Sequence, residues 1–388
     1  MKCFVLPVRC RLWHQLLLLG TLLIHLYISF RTFCAVGHNF RISNMSSTFV
    51  VSSSQLSENI SHWLEKDFWK QTHDYDFARF RDCSGRDRRP SYPFVSGDGF
   101  RALCKHRCEC NGCNFQPSDV LHGDCIYIST TNERIETTTQ YLMDFARIAI
   151  HISHPFSVIT HNGDLSTPDG DEWHVGESPI YRHNCGHLLK LPLMFRWFAS
   201  NCNTQSKTYS NKVVCIPIGI ENRYNSVGKS PEAYFRLMKE NYHIKPAKTL
   251  LVAFKESPVK PFRSQALKEL NAPWITKGQY SRNEWLRQVS NHKWIVCPIG
   301  HGLDTHRTWE VLLMRRYPVV LSCNLDSVFH GLPVLIVQSW HDINQTYLDE
   351  MYSHYQQKQF NMEKLFHNFW ERMISSTVEM NDTTRMSK

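Results

Sequence analysis

The chain lacks several patterns that would assign it to a simple class. It has no evident internal repeat and no low-complexity body, which argues against a repeat protein or a disordered one. It also has no run of about five or six like charges, and therefore no basic arm of the kind that binds nucleic acid. Its 388 residues, 42% hydrophobic and 20% charged, are enough for about two domains with their own cores.

The balance of charge is modestly basic. There are 44 Lys and Arg residues against 35 Asp and Glu, which gives a net charge of +9 with 21 neutral His. An excess of this size suits attraction to an anionic small molecule as well as to a membrane surface or a polyanion.

One long apolar stretch lies near the N-terminus, at residues 12–30. It is long enough to cross a bilayer core of about 30 Å as a helix. Lys2, Arg9 and Arg11 precede it, so we expect a cytosolic tail at 1–11, a transmembrane signal anchor and a lumenal body. A cleaved signal peptide is the alternative, although the stretch is longer than the usual hydrophobic region of a signal peptide. The expected protein is a single-pass type II membrane protein of the Golgi or the ER.

The segment that follows agrees with this topology. Residues 31–57 are rich in Ser, Asn and Thr and predict a stem. Four glycosylation sequons occur, at Asn44, Asn59, Asn344 and Asn381.

Cysteine usage also indicates an oxidising compartment. Twelve of the fourteen cysteines follow the span, and six of these share one short region: Cys83, Cys104, Cys108, Cys110, Cys113 and Cys125. We expect these six to form disulfides, with a zinc site as the alternative, and their connectivity stays open. Cys215 and Cys297 lie in apolar runs and are predicted to be buried free thiols.

Short apolar runs alternate with helical periodicity along the body. Strands are predicted at 125–129, 156–160, 213–217, 250–254, 294–297, 318–321 and 333–337. Helices are predicted at 133–148, 188–199, 231–241, 264–270, 283–290, 308–314 and, at the end, 348–375.

This alternation predicts an α/β fold with parallel sheets and with ligand sites at the carboxyl ends of the strands. We expect two such domains, at 58–230 and 231–388, joined through a hinge within 221–248.

Residues 297–320, CPIGHGLDTHRTWEVLLMRRYPVV, concentrate charged side chains after a predicted strand. Gly300 and Gly302 would let the backbone approach a ligand, and a helix would begin near Thr305 with Asp304 or Thr305 as its cap. The helix N-terminus and Arg307 both favour negative charge, so a phosphate or diphosphate suits this position.

Glu310 lies one helical turn beyond Arg307 and could accept hydrogen bonds from a sugar hydroxyl. The alternative is an ordinary ion pair between Arg307 and Glu310, with Trp309 in the core.

Several motifs together resemble one enzyme family. GHGLDTHRTWEVL, PVVLS and GLPVLIVQSWHDI are similar to the donor-domain segment of exostosin-like glycosyltransferases. YPFVSGDGFRAL, VITHNGDLSTP, MFRWFASN and IPIGIENRY look like the matching acceptor-side segments, so that the resemblance extends from about residue 90 to 343.

The resemblance implies a GT-B enzyme, in which two Rossmann-like domains face each other across a cleft. The N-terminal domain would hold a glycan or glycoprotein acceptor, and the C-terminal one a nucleotide-sugar, expected to be UDP-linked. The donor would be held by Gly300, Gly302, Asp304, Thr305, His306, Arg307 and Glu310, with Lys255 and Arg263 as further diphosphate ligands. These cations would do the work of a metal, so none is expected, and we expect inversion of a hexosyl or pentosyl group.

Transfer also needs a general base near the acceptor hydroxyl. His161 and Asp164 follow a predicted strand, and Asp98 lies in a Ser-Gly-Asp stretch. All three are candidates, although each is also typical of a turn. The sequence Asp169-Gly170-Asp171 resembles a metal motif of another glycosyltransferase architecture, but its polar loop context favours a plain turn.

The chain departs from the family before residue 318, where Arg315-Arg316-Tyr317 replaces the usual Gly-Cys pair. We expect this segment to reshape the donor pocket or to add an anion contact, which leaves the donor sugar open. Two other functions also stay open: a Golgi sulfotransferase, and a non-catalytic glycan-binding protein on a degenerate transferase fold. A sulfotransferase should show a basic phosphate-binding loop after its first strand, where residues 125–136 contain only Arg134.

Overall fold

The computed structural model describes residues 80–130, 135–170, 179–203, 211–224, 231–241, 244–256 and 261–386. The predicted span, the stem and the sequons at Asn44 and Asn59 lie outside these residues. Within them, no helix combines the length and the apolar character needed to cross a bilayer. Asn344 is exposed and caps a helix, and the side chain of Asn381 falls outside the described part.

A six-stranded sheet forms the N-terminal lobe, residues 80–224. Its strands are β1 (His106–Glu109), β2 (Gly112–Cys113), β3 (Cys125–Ser129), β4 (Phe156–His161), β5 (Met194–Ala199) and β6 (Val213–Cys215). The order is β2-β1-β3-β4-β5-β6, and every pair is parallel except β1 with β2. Strand β4 is buried at every position, as expected of a strand covered on both faces.

A five-stranded, wholly parallel sheet forms the C-terminal lobe, which begins at residue 244. Its strands are β7 (Lys248–Val252), β8 (Ile275–Lys277), β9 (His292–Val296), β10 (Tyr317–Leu321) and β11 (Leu335–Val337). The order β11-β10-β9-β7-β8 places β7 beside β9. The chain leaves β7 towards β8 on one side and leaves β9 towards β10 on the other, which opens a crevice at their carboxyl ends.

Helices connect the strands in both lobes. They are α1 (Gly97–Leu103), α2 (Ile135–Ala149), α3 (Pro179–Lys190), α4 (Pro231–Asn241), α5 (Pro261–Glu269), α6 (Arg282–Asn291), α7 (His306–Leu313), α8 (Asp326–Phe329), α9 (Gln345–Gln357) and α10 (His367–Met386). Two sheets with helical connections confirm the predicted α/β fold with parallel sheets. The exact domain boundaries stay a prediction.

The predicted helix at 188–199 is wrong. Helix α3 ends at Lys190, and Met194–Ala199 is instead strand β5, which lies between β4 and the edge strand β6. Trp197 and Phe198 are fully buried there, and aromatic residues favour strands. A strand buried on both faces shows no alternation of polar and apolar residues, so periodicity alone does not separate it from a helix.

The predicted single helix at 348–375 is also wrong, because two helices occupy this region. Helix α9 ends at Gln357 and α10 begins at His367, with a 3-10 turn, Met362–Leu365, between them. The side chain of Asn361 accepts a hydrogen bond from the amide of Glu363. Such a local bond competes with continuation of the helix.

The cysteine-rich region is fully paired. Its bonds are Cys83–Cys110, Cys104–Cys125 and Cys108–Cys113, which confirms the disulfide prediction. Cys297 is a buried free thiol, as predicted. The same prediction for Cys215 is wrong, because Cys215 pairs with Cys202, just beyond the end of the neighbouring strand β5.

The segment Arg315-Arg316-Tyr317 lies away from the crevice, so the predicted anion contact or reshaping of a donor pocket is wrong. Strand β10 begins at Tyr317, and the segment therefore occupies the amino edge of the sheet. Arg316 is buried and donates to the carbonyls of Ser290 at 2.9 Å and Ile244 at 2.8 Å. Its role is to bind backbone groups of its own lobe.

The terminal helix α10 packs on the N-terminal lobe. Trp370 is buried with its ring 6.2 Å from that of Phe100, and its Nε1 donates to the Lys364 carbonyl at 2.8 Å. Phe100 in turn stacks on His161, at 5.1 Å between ring centroids. The last helix therefore completes the core beneath the end of strand β4.

We expect Trp370→Ala to lower the free energy of unfolding by about 3–5 kcal/mol, because a large buried side chain is lost and a cavity remains. Urea unfolding followed by tryptophan fluorescence and circular dichroism measures the change. Leu121→Ala is the control, since Leu121 is 58% exposed and should change stability by no more than about 0.5 kcal/mol. Equal losses in the two variants would contradict the docking of α10.

Candidate active site

A cavity of about 460 Å³ lies at the crevice beside strands β7 and β9. All the residues predicted to hold a donor line it: Lys255, Arg263, Gly300, Gly302, Asp304, Thr305, His306, Arg307 and Glu310. The N-terminal lobe contributes Asp164, Ile218 and Glu221 to the same wall. Loops from both lobes therefore meet around one space, although binding of a donor there stays a prediction.

Three cations define the chemistry of this space. Lys255 and Arg263 follow strand β7, and Arg307 follows β9 on the first turn of α7. None of the three forms an ion pair with a carboxylate in the described part of the chain. Three positive charges without a matching acid favour an anionic ligand.

The surroundings of Arg307 hold its guanidinium at the cavity wall. Its Nη1 donates to the Ala253 carbonyl at 2.6 Å, and its charge lies 5.0 Å from the centre of the Trp285 ring. Burial lowers the pKa of Arg307, but an arginine of this type stays charged at neutral pH. Because Nη1 is held in this way, the other N–H donors of the Arg307 guanidinium are available to a phosphate.

Arg263 also has a donor that no described protein group satisfies. Its Nε is buried and has no hydrogen-bond partner among the described residues. Its Nη2 lies 3.1 Å from the position that a Cβ on Gly300 would take. A glycine at 300 thus gives this guanidinium room beside the loop.

Glu310 has a partner that the sequence did not predict. Its Oε1 accepts from Arg282 at 2.7 Å and from the Tyr234 hydroxyl at 2.5 Å, so the ion pair proposed with Arg307 is replaced by one with Arg282. Arg282 begins α6, directly after the loop from the short strand β8. That strand was not predicted, and the loop was therefore not recognised as part of the carboxyl edge.

Other lining residues were not predicted either. Gln279, Tyr280 and Trp285 also lie on or after the β8 loop, while Glu221 and Phe254 follow strands whose neighbours were unknown. In the sequence, the amide and aromatic side chains that directly follow ITKG, residues 275–278, were the signal that could have indicated this part of the site.

Asp304 is oriented towards protein donors. It is 2% exposed, its Oδ2 accepts from the Ile218 amide and from Trp309 Nε1, both at 2.8 Å, and its Oδ1 accepts from the Thr305 amide at 2.8 Å. Burial raises the pKa of Asp304 to about 6, against the opposing effect of these hydrogen bonds. Since Ile218 belongs to the N-terminal lobe, this carboxylate joins the two lobes.

His306 makes a second contact between the lobes. Its Nδ1 donates to the Gly219 carbonyl at 2.7 Å, and its Nε2 lies 3.4 Å from Glu221 Oε2. Thr305 is the N-cap of α7, and its hydroxyl lies 3.4 Å from that of Thr308. Both side chains border the cavity while bonding to protein groups.

The three candidate bases occupy different environments. Asp164 borders the cavity on the loop after β4. His161 is buried: its Nδ1 accepts from the Asn162 amide at 2.7 Å, so its Nε2 carries the proton and donates to the Pro217 carbonyl at 2.9 Å. Burial lowers the pKa of His161 to about 4. With both ring nitrogens bonded to backbone, His161 has no nitrogen available to a substrate.

Asp98 is also withdrawn from the cavity. It is fully buried, and its Oδ1 accepts from Arg88 Nε at 2.8 Å and from Asn162 Nδ2 at 3.1 Å. Its backbone amide donates to Asn222 Oδ1 at 2.9 Å. Asp98 therefore organises the loops behind the site, and Asp164 is the candidate base that reaches the open space. Asp169, in the Asp-Gly-Asp stretch, does not line the cavity.

No protein-family model matches the chain, and no curated protein matches it either. Among solved structures, it is similar to Anabaena HepE in complex with UDP and glucose, with 13% identity, a TM-score of 0.30, and coverage of 68% of this chain and 77% of that one. It is also similar to the GtfA/B complex, with 10% identity, a TM-score of 0.32, and coverage of 68% and 59%. The wall teichoic acid polymerase TagF gives 8% identity, a TM-score of 0.22, and coverage of 70% and 92%. With such TM-scores, the fold assignment above rests on strand order and the site on its own geometry.

The raised pKa of Asp304 predicts a pH dependence of stability. The folded chain binds a proton at Asp304 up to about pH 6, whereas the unfolded chain loses it near pH 4, so this contribution is lost as pH rises from about 4 to 6. The expected loss is about 3 kcal/mol. Unfolding of the wild type and Asp304→Asn is compared across pH, and their difference isolates Asp304 from other groups. A difference that stays constant from pH 4 to 7 would contradict the assignment.

Proposed function

We propose that this chain is a glycosyltransferase of the GT-B kind, similar to exostosin-like enzymes, that moves a sugar from a nucleotide-sugar to a hydroxyl of a glycan or glycoprotein. The observation that carries the proposal is the cavity at the switch point of the C-terminal sheet. There, three cations that form no ion pair among the described residues line the same cavity as Asp164 of the other lobe. Its volume of about 460 Å³ suits a ligand of nucleotide-sugar size.

The donor diphosphate would lie against Arg307, Arg263 and Lys255. In transfer, the bond between the anomeric carbon and the diphosphate oxygen breaks, and negative charge grows on the departing nucleoside diphosphate. Fixed positive groups stabilise that charge without having to reorganise. This supports a reaction that needs no metal, with a UDP-linked sugar as the first donor to test.

Asp164 would act as the general base. As the acceptor oxygen forms its bond to the anomeric carbon, its proton passes to the Asp164 carboxylate. Attack from the side opposite the diphosphate inverts the configuration at that carbon. The presence of Asp164 among the residues that the N-terminal lobe contributes to the cavity lining supports this role.

We place the enzyme in the lumen of the Golgi or ER, held by the apolar segment at 12–30. The four disulfides among the described residues support an oxidising compartment, since such bonds are rare in the cytosol. The sequons at Asn344 and at the positions outside the described residues would then be glycosylated.

One observation favours a second candidate, a nucleotide-sugar-binding protein without catalysis. Two of the three predicted bases, His161 and Asp98, are buried and bonded to protein groups. The purified full-length chain in detergent, screened against a panel of nucleotide-sugars, separates the two. A donor-dependent rise in Tm together with donor hydrolysis supports the enzyme, and a rise without any turnover supports the binding protein.

We expect Arg307→Gln to weaken UDP binding by about 10- to 100-fold, because a charge-assisted hydrogen bond to phosphate is lost. Isothermal titration calorimetry with UDP measures the change. Arg287→Gln is the matched control, since Arg287 is on the exposed face of α6 and pairs with Glu284 alone among described acids. UDP affinity that is the same in all three proteins would remove Arg307 from the diphosphate site.

We expect Asp164→Asn to lower kcat by about 10²- to 10⁴-fold while changing UDP affinity little, because the amide cannot accept the proton. The assay follows release of UDP with the donor that the screen identifies. Asp169→Asn, on the same loop but outside the cavity, should keep the wild-type kcat. If Asp169→Asn were inactive and Asp164→Asn active, the roles assigned to the two acids would be refuted.

A further inference from the structure

Asn201 contacts both sides of the candidate site from beneath it. It follows strand β5 and is completely buried. Its Nδ2 donates to the Gly163 carbonyl at 2.9 Å, directly before Asp164. Its Oδ1 accepts from the Asp304 amide at 2.7 Å, at the end of the glycine loop of the C-terminal lobe. One planar amide therefore joins the loop of the candidate base to the loop of the candidate diphosphate site.

Gly302 shows how closely this amide fits. A Cβ built on Gly302 would lie 2.6 Å from Asn201 Oδ1 and 2.7 Å from Nδ2. Contacts of that length do not occur with real Cβ atoms, so any side chain at 302 would displace the amide. The sequence suggested that Gly302 was required for approach of a ligand, but in the structure the Asn201 side chain occupies that space.

The position of Asn201 is itself fixed. Its neighbour Cys202 is bonded to Cys215, and the Ser200 amide donates to the Thr160 carbonyl at 3.0 Å. Asn201 has a φ of +47°, a left-handed conformation that asparagine tolerates better than most residues other than glycine. The amide is therefore presented from a rigid strand end.

We propose that Asn201 is a positioning residue, which sets the separation between Asp164 and the glycine loop at 300–304, and that residue 302 is glycine to admit it. This rests on the proposed function for the roles of the two loops. Each of the two hydrogen bonds of Asn201 fixes one loop. The bond to the Gly163 carbonyl fixes the backbone before the candidate base Asp164, and the bond from the Asp304 amide fixes the end of the candidate diphosphate loop. Loss of Asn201 would remove none of the proposed ligand groups, but it would change the distance between Asp164 and the glycine loop.

The test is a double-mutant cycle on the full-length chain, with Asn201→Gly, Gly302→Ala and the double variant. Glycine at 201 removes the amide while tolerating the positive φ. We expect Asn201→Gly and Gly302→Ala each to lower kcat/KM by roughly 10- to 100-fold, because displacement of a reacting group by about 1 Å costs that much. In the double variant, Gly302→Ala should lower kcat/KM by less than about a further 2-fold, because the Asn201 amide with which its Cβ would clash is absent. Gly186→Ala is the control, since nothing lies within 4 Å of a Cβ at that glycine.

A second measurement tests the spacing without a substrate. Hydrogen exchange followed by mass spectrometry should show faster exchange at 300–304 and at 162–165 in Asn201→Gly, and wild-type exchange in Gly186→Ala. Unchanged exchange in both segments would overturn the proposal, whatever the kinetics. Independent, multiplicative losses in the cycle would also overturn it, because they would show that Gly302 serves the ligand directly.

These outcomes separate the inference from the proposed function. If the wild type neither binds UDP nor hydrolyses any nucleotide-sugar while Asn201→Gly accelerates exchange in both segments, the transferase proposal fails and the bridging role of Asn201 stands. If the wild type is an active transferase and Asn201→Gly retains full kcat/KM, the transferase stands and the positioning role fails.

Discussion

The arrangement of the site depends on a carboxylate that has been removed from water. Asp304 receives hydrogen bonds from the amides of Ile218 and Thr305 and from Trp309 Nε1, and so connects the start of helix α7 to the opposite lobe. A buried charge is stable only when its hydrogen bonds are satisfied. The Ile218 amide comes from the opposite lobe and stays in contact only while the lobes remain together, so the acid that needs this donor also links the two walls of the cavity.

Around this acid the structure separates positive charges into two groups. Arg282 is neutralised by Glu310 and strengthens the contact of three helices through Tyr234. Arg307, Arg263 and Lys255 form no ion pair with an acid among the described residues, and burial lowers the pKa of both arginines. Holding like charges close together in a partly dry space is unfavourable unless an anion joins them. A diphosphate at this position would offset the repulsion among the three cations.

Much of this could be predicted from sequence where the signal is local. The dense motif at 297–320 located a loop and helix start correctly, since glycine, cap and charged residues are all within one short segment. Strands β3, β4, β9 and β10 were predicted near their observed bounds because they are β-branched and apolar. The α/β fold followed from their alternation with helices.

The remainder depended on contacts between distant residues. His161 is the last residue of strand β4, one position earlier in the fold than predicted, and the sequence does not show that the next amide folds back onto its ring. The pairing of Glu310 with Arg282, the docking of Asn201 on Gly302 and the bond from Cys202 to Cys215 are all tertiary. Strand β8 spans only Ile275–Lys277, which is too short for its composition to be distinctive.

The return of α10 to the N-terminal lobe bears on biosynthesis. Phe100 and His161 are made early, yet the core around them includes Trp370 and Leu365, which leave the ribosome much later. N-terminal domains often fold while the rest of the chain is still being synthesised. Here the early lobe would emerge with an open apolar gap, and would need protection by chaperones until the final helix arrives to close it.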